Sequence, residues 1–202
     1  MSATSASQNT LLDIFQTKSK SAKTINNIAL VFLGSILLTI SAKINIPFIG
    51  VPATFQTLVV IALSAAFGWR MGVATVALYL MQGAMGLPVF ANGGGIAYLF
   101  GPTGGFLLGF LPAAFIVGKL SDMGYSKKLL PLFLIMLAGD AIIFAVGFAW
   151  LVILAASVTW IDQANIIASA FALAIKPFII WDILKMAFAA ITVVGAWKMI
   201  KK

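Results

Sequence analysis

The chain contains no cysteine, no histidine and no glutamate, and its five acidic residues are all aspartates. Without cysteine there is no disulfide and no thiol chemistry. Without histidine the commonest general base and metal ligand is missing. Most nucleophile–base pairs and metal clusters are thereby excluded, so no catalytic residue, metal site or cofactor is expected. No glycine-rich run is followed by Lys-Ser/Thr, so no nucleotide-binding loop is recognisable. Charge of either sign is scarce. Only 9% of the residues are charged, against about 25% in a soluble domain.

What is present is apolar surface: 62% of the 202 residues are hydrophobic. This composition defines an all-α, multi-pass integral membrane protein, and the length allows about six spans with short loops. Residues 1–24 are polar and carry Lys18, Lys20 and Lys23. They lack the apolar core and cleavage site of a signal peptide. They are expected to form a cytoplasmic tail, partly disordered or lying on the membrane surface. Residues 25–202 are expected to form a single six-helix membrane domain.

The expected spans are 25–42, 53–67, 71–85, 106–120, 129–157 and 178–197. Pro47, Gly50 and Pro52 mark a loop or re-entrant turn after the first. Trp69-Arg70 reads as a tight basic turn, and with Trp197-Lys198 as an interfacial anchor. Residues 158–176 form a mixed connection, whose apolar stretch 166–175 is too short to span.

The net charge of +8 superficially suggests nucleic acid, but its placement argues for the bilayer as partner. With the N-terminus in the cytoplasm, Lys18, Lys20, Lys23, Arg70, Lys119, Lys127, Lys128, Lys198, Lys201 and Lys202 all fall inside. Only Lys43 and Lys176 fall outside, while Lys185 lies within the membrane. This positive-inside bias places both termini in the cytoplasm. Gln56, the segment 86–101 and the outer part of the last span then converge on the external face.

Two charges stand inside that last span. Asp182 and Lys185, at i and i+3, share one helical face. They could form a self-neutralising pair that only orients the helix. Intramembrane charges are costly, however, and usually face the protein interior or a water-filled site. The favoured reading is a polar ligand site, a carboxylate accepting N–H bonds beside an ammonium that donates to a carbonyl or carboxylate. Asp140, in GDAIIFAVGFAW, is a ligand contact, a proton site, or a carboxylate bonded to neighbouring helices. Gln56 either bonds a ligand or ties the loop before the second span.

The segment ANGGGIAYLFGPTGG carries six glycines. Glycine admits positive φ and close backbone approach, and Gly93, Gly94 and Gly95 could offer an N–H nest for an anion. The neighbouring Phe90 and Tyr98 favour burial, so an ordered lid or pocket wall is expected rather than a flexible loop. Gly139, Gly147 and the pair Gly105-xxx-Gly109 are expected at close helix contacts.

Four stretches, FIGVPATFQTL, LYLMQGAMGLPVFANGGGIAYLFGPTGGFLLGF, GDAIIFAVGFAW and KPFIIWDILKMA, together resemble the BioY family, the biotin-binding S components of energy-coupling factor (ECF) transporters. The resemblance covers about residues 25–198. It implies a six-helix S-component fold in the bacterial cytoplasmic membrane and high-affinity binding of biotin. It further implies partnership with a transmembrane coupling (T) protein and two cytoplasmic ATPases. Asp182 and Lys185 match the family's late Asp and Lys that hold the ureido ring. Asn92, Gly93, Gly94, Gly95 and Tyr98 match the pocket-capping loop, with Phe90 and Tyr98 packing on the ligand's apolar body. Gln56 matches a position in the second helix. Two departures stand out. Relatives often carry an arginine or a fuller glycine run in the capping loop, where this chain reads NGGG. Backbone N–H groups or Lys185 are then left to bind the valerate carboxylate. The small-xxx-small pair expected on the first helix for docking the T protein is broken at Ala29-xxx-Leu33 and kept at Ser35-xxx-Thr39.

Other readings remain beside this one. A solitary facilitator or proton-coupled carrier would use Asp140 and Asp182 as proton sites. An intramembrane enzyme is disfavoured by the missing residue types, and an ion channel by the absence of a ring of charges or a repeated filter.

Overall fold

A computed structural model describes residues 10–12, 19–48 and 50–200. The order is α1 (Lys20–Lys43), β1 (Asn45–Ile46), β2 (Ala53–Thr54), α2 (Gln56–Phe67), α3 (Trp69–Ala84), α4 (Ile96–Leu99), α5 (Gly104–Asp122), α6 (Leu129–Leu154), α7 (Ile166–Ala174) and α8 (Ile179–Ile200). Short 3₁₀ turns at Tyr125–Lys127 and Ala155–Ser157 precede and follow α6.

Among the described residues, four helical stretches, Lys20–Lys43, Gly104–Asp122, Leu129–Ser157 and Ile179–Ile200, are long and apolar enough to cross a membrane. At 1.5 Å per residue, the 12 residues of α2 reach about 18 Å and the 16 of α3 about 24 Å, less than the roughly 30 Å of a bilayer core. Both are instead packed among the longer helices, against each other, α1 and α5. The exposed surface is apolar where a soluble protein would be polar. Ile25, Phe32, Leu33, Ile36 and Ile40 of α1, and Ile180, Leu184, Phe188 and Ile191 of α8, are all exposed. Such continuous apolar faces suit lipid as the solvent.

Several local features depart from expectation. α1 starts at Lys20, before the apolar run. Apolarity marks the membrane-buried part of a helix, and a polar first turn can extend it into water. Thr10 and Leu11 of the tail are buried, and Leu11 N–H donates to Ala66 O at 2.9 Å. This part of the tail therefore docks on the end of α2. Residues 1–9 and 13–18 of the tail lie outside the described residues. The segment after α1 is an antiparallel ladder, Asn45 opposite Thr54 and Ile46 opposite Ala53. The basic turn lies one residue early, at Gly68 with φ +83°, which joins α2 to α3. Trp69 and Arg70 form the first turn of α3. Trp197 is buried under the Lys127 ammonium, 5.3 Å from its ring centroid, so it packs as a core residue. On α1, Ser35 is fully buried and bonds Phe32 O, while Thr39 bonds Ser35 O. Ser35 is therefore packed inside the chain, while Thr39 is half-buried.

Small residues set the helix spacing. A Cβ on Gly109 of α5 would lie 3.1 Å from Ile143 Cα of α6, and one on Gly118 would collide with the main chain of Trp69. The contact at Gly118 is with backbone, so it cannot be relieved by a rotamer change. Gly118→Ala is expected to destabilise the bundle by about 1–3 kcal/mol. Thermal unfolding in detergent should show a lowered midpoint; an unchanged midpoint would mean that α3 and α5 separate at no cost.

Candidate functional site

The site is built where α2 and α8 meet. In a 3.6-residue helix, residues three apart share a face, and Asp182 and Lys185 turn that face inward: Asp182 is 3% exposed. The Lys185 ammonium lies 2.5 Å from Asp182 Oδ1. Thr57, one residue into α2, completes a triangle. Its hydroxyl donates to Asp182 Oδ1 at 2.8 Å and accepts from Lys185 at 2.8 Å. Lys185 makes a further bond to the Thr54 carbonyl at 3.1 Å. All three donors of the ammonium are thus engaged. The second carboxylate oxygen, Asp182 Oδ2, takes no bond among the described residues. The pair is therefore more than an intrahelical neutralisation, because it joins α8 to α2 and β2.

A cavity of about 60 Å³ opens beside this triangle. Thr54, Gln56, Thr57, Asp182 and Lys185 supply its polar wall. Phe106, Phe110, Phe144 and Phe178 supply an aromatic one, and Ala91 and Tyr98 border it from the segment between α3 and α5. A second cavity of about 410 Å³, nearly all apolar, lies between β1–β2 and α8, and shares only Ala53, Thr54 and Lys185 with the first. Although it is larger, its lining offers few polar groups. The smaller cavity is the one with convergent polar groups, as a specific ligand requires.

The sequence candidates separate into two groups. Gln56, Tyr98, Asp182 and Lys185 border the cavity; Asn92, Gly93, Gly94, Gly95, Phe90 and Asp140 are not among its lining residues. Gln56 is engaged at both ends of its amide: it accepts from Thr54 Oγ1 at 3.2 Å and donates one N–H to Tyr79 OH at 2.8 Å. Tyr79 OH in turn donates to Val89 O at 3.0 Å. These are the bonds of a loop tie. Phe90 lies behind the wall, stacked on Tyr98 at 5.0 Å and edge-on to Tyr79 at 5.4 Å. The glycines shape the loop. Gly93 and Gly95 have φ of +137° and +100°, which admit no ordinary side chain without strain. Phe90 and Gly93 exchange main-chain bonds, and Gly95 N–H donates to Gly83 O at 2.7 Å. Asp140 lies one helical turn from Ile143, a lining residue, and within electrostatic range of Asp182 and Lys185. Its Oδ1 is buried without a hydrogen-bond partner among the described residues, so the bonded-carboxylate reading does not describe that oxygen.

Sequence reasoning missed Thr57 and Tyr79. Each is unremarkable alone in an apolar stretch. The one available signal for Thr57 was its place beside Gln56 at the start of a span.

An all-helical fold with exposed apolar faces and a buried, mixed-charge pair beside a small cavity defines a membrane-embedded small-solute binder. Comparison with known proteins makes this particular. Residues 14–202 match the BioY family, and the chain belongs to it. The chain is 35% identical over 165 residues to a probable biotin transporter BioY of Pyrococcus horikoshii, covering 81% of this chain and 91% of the relative. It is 36% identical over 157 residues to the biotin transporter BioY of Thermotoga maritima, covering 77% and 86%. Its fold matches the crystal structure of the S-component for biotin from an ECF-type ABC transporter, with a TM-score of 0.75 and 22% identity over 90% of this chain and 95% of that one.

The triangle yields a stability prediction. Lys185→Met leaves Asp182 as an uncompensated buried charge and is expected to cost about 3–5 kcal/mol. Adding Asp182→Asn removes that charge and should recover most of the loss. Thermal unfolding of the single and double variants checks this; equal midpoints for both would show that the charge is not desolvated.

Proposed function

We propose that the chain is the biotin-binding S component of an ECF transporter and takes up biotin from outside the cytoplasmic membrane. The observation that carries this reading is the open oxygen Asp182 Oδ2, on a carboxylate clamped by Thr57 and Lys185 at the wall of an aromatic cavity. A cyclic urea presents N–H donors and a carbonyl acceptor side by side. Asp182 Oδ2 accepts an N–H. Lys185 donates to the carbonyl by exchanging its bond to Thr54 O. The phenylalanines and Tyr98 cover the apolar rings. The names of the relatives and of the matched structure agree with this chemistry.

The cavity of about 60 Å³ is well below the roughly 300–1,000 Å³ of pockets for ligands of this size. Loading therefore requires the walls to part, and the loop walls are the β1–β2 segment and the residues around Ala91 and Tyr98. The lysine placement supports a single 25–202 membrane domain with six spans, α2 and α3 included, and both termini in the cytoplasm. Energy would come from partners, a T protein and two ATPases. ATP hydrolysis by the purified chain alone would count against that arrangement.

The test is biotin binding to the detergent-purified chain. Wild type is expected to bind tightly. Loss of a charge-assisted hydrogen bond costs about 1.5–3 kcal/mol, so Asp182→Asn should weaken binding by about ten- to a hundredfold or more. Thr57→Val should lose about tenfold by freeing the clamp. Binding that survives both Asp182→Asn and Lys185→Ala would return the pair to a structural role. No binding by wild type would overturn the substrate.

A further inference from the structure

Biotin carries a carboxylate at the end opposite its urea, and that charge needs a partner. Lys185 is poorly placed to serve it, since Asp182 and Thr57 hold two of its donors and the third, now on Thr54 O, goes to the urea carbonyl in the reading above. Those bonds lie at the urea end. The loop reading NGGG brings no cation of its own. The structure brings one from another element. Lys43, the last residue of α1, crosses to the loop and donates to Phe90 O at 2.6 Å. Ala91, the next residue, borders the cavity, as does Tyr98, on which Phe90 stacks. The Lys43 side chain has no carboxylate partner among the described residues. Its one acceptor is a neutral carbonyl, which uses one of three ammonium donors. The N–H groups of Ala91 and Asn92, in the same turn, find no acceptor among the described residues.

We infer that Lys43 is the residue that binds the ligand's carboxylate, reaching it over the Phe90–Ala91 turn with the turn's free N–H groups beside it. The inference rests on the biotin reading above. It assigns to the end of α1 a specificity role: selection for a free acid over its neutral derivatives. A carboxylate at this turn would gain a charge-assisted bond from Lys43 without breaking the Asp182–Lys185 pair. The other external lysine, Lys176, is exposed next to Phe178 of the cavity wall and is the natural competitor for the role.

The experiment measures binding of biotin and of biotinamide, which keeps the urea and rings but lacks the charge. Wild type is compared with Lys43→Gln, Lys43→Arg and Lys176→Gln, all as full-length detergent-purified chain. Wild type is expected to prefer biotin. Lys43→Gln, which keeps a donor for Phe90 O, should lose about ten- to a hundredfold for biotin and little for biotinamide. Lys43→Arg should restore most of the preference, and Lys176→Gln should leave it intact. The inference is overturned if Lys43→Gln weakens both probes equally, which is a structural effect, or weakens neither. It is also overturned if the preference follows Lys176. Wild type that binds neither probe would bring down the biotin reading itself, a result distinct from any of these.

Discussion

The organisation of this protein depends on two opposite charges held away from water. An isolated charge within a bilayer costs several kcal/mol. Asp182 and Lys185 offset most of that by pairing, and Thr57 takes up part of the remaining hydrogen-bonding capacity of both. The clamp needs groups from three elements, α8, α2 and the β2 strand that supplies the Thr54 carbonyl. The short α2 is therefore held by polar bonds at the end where it meets the cavity. One carboxylate oxygen, Asp182 Oδ2, is left without a partner among the described residues, and the proposed recognition of a ligand N–H rests on that open acceptor.

The cavity walls are tied into the same network. Thr54 bonds Gln56, Gln56 bonds Tyr79, and Tyr79 bonds the carbonyl of Val89. Lys43 holds the next carbonyl, that of Phe90, and Trp150 Nε1 donates to Gly101 O at 3.0 Å. The segment between α3 and α5 is thus fastened to α1, α3 and α6 by side chains. Its only helix is the four-residue α4. A wall built in this way is ordered yet separable, since each fastening is one or two hydrogen bonds. The far end of the bundle is different. There Gly118 abuts the main chain of Trp69, and Lys127 covers the buried Trp197. Close packing of this kind does not open in parts.

Much of this was legible in the chain. Apolarity and the scarcity of charge identify a membrane protein, because a bilayer admits little else. Lysine placement argues for orientation, and the i, i+3 spacing alone puts Asp182 and Lys185 on one face. Gly93 and Gly95 announced a loop needing positive φ, and Gly105-xxx-Gly109 a close helix contact. Helix starts were less legible, as at Lys20, because apolarity reports the depth of burial in lipid and not hydrogen bonding.

The sequence by itself determined the class of protein, the helical architecture and the charged pair, since each follows from local composition or from the helical repeat. Only the tertiary structure decided which groups complete the site. Thr57 meets residues 125 and 128 positions away, and Lys43 meets a carbonyl 47 positions away. Contacts at such separations depend on how helices are juxtaposed, and no periodicity encodes them. The same holds for Gln56 and Phe90, whose places in the tie and behind the wall are set by the position of Tyr79 on α3.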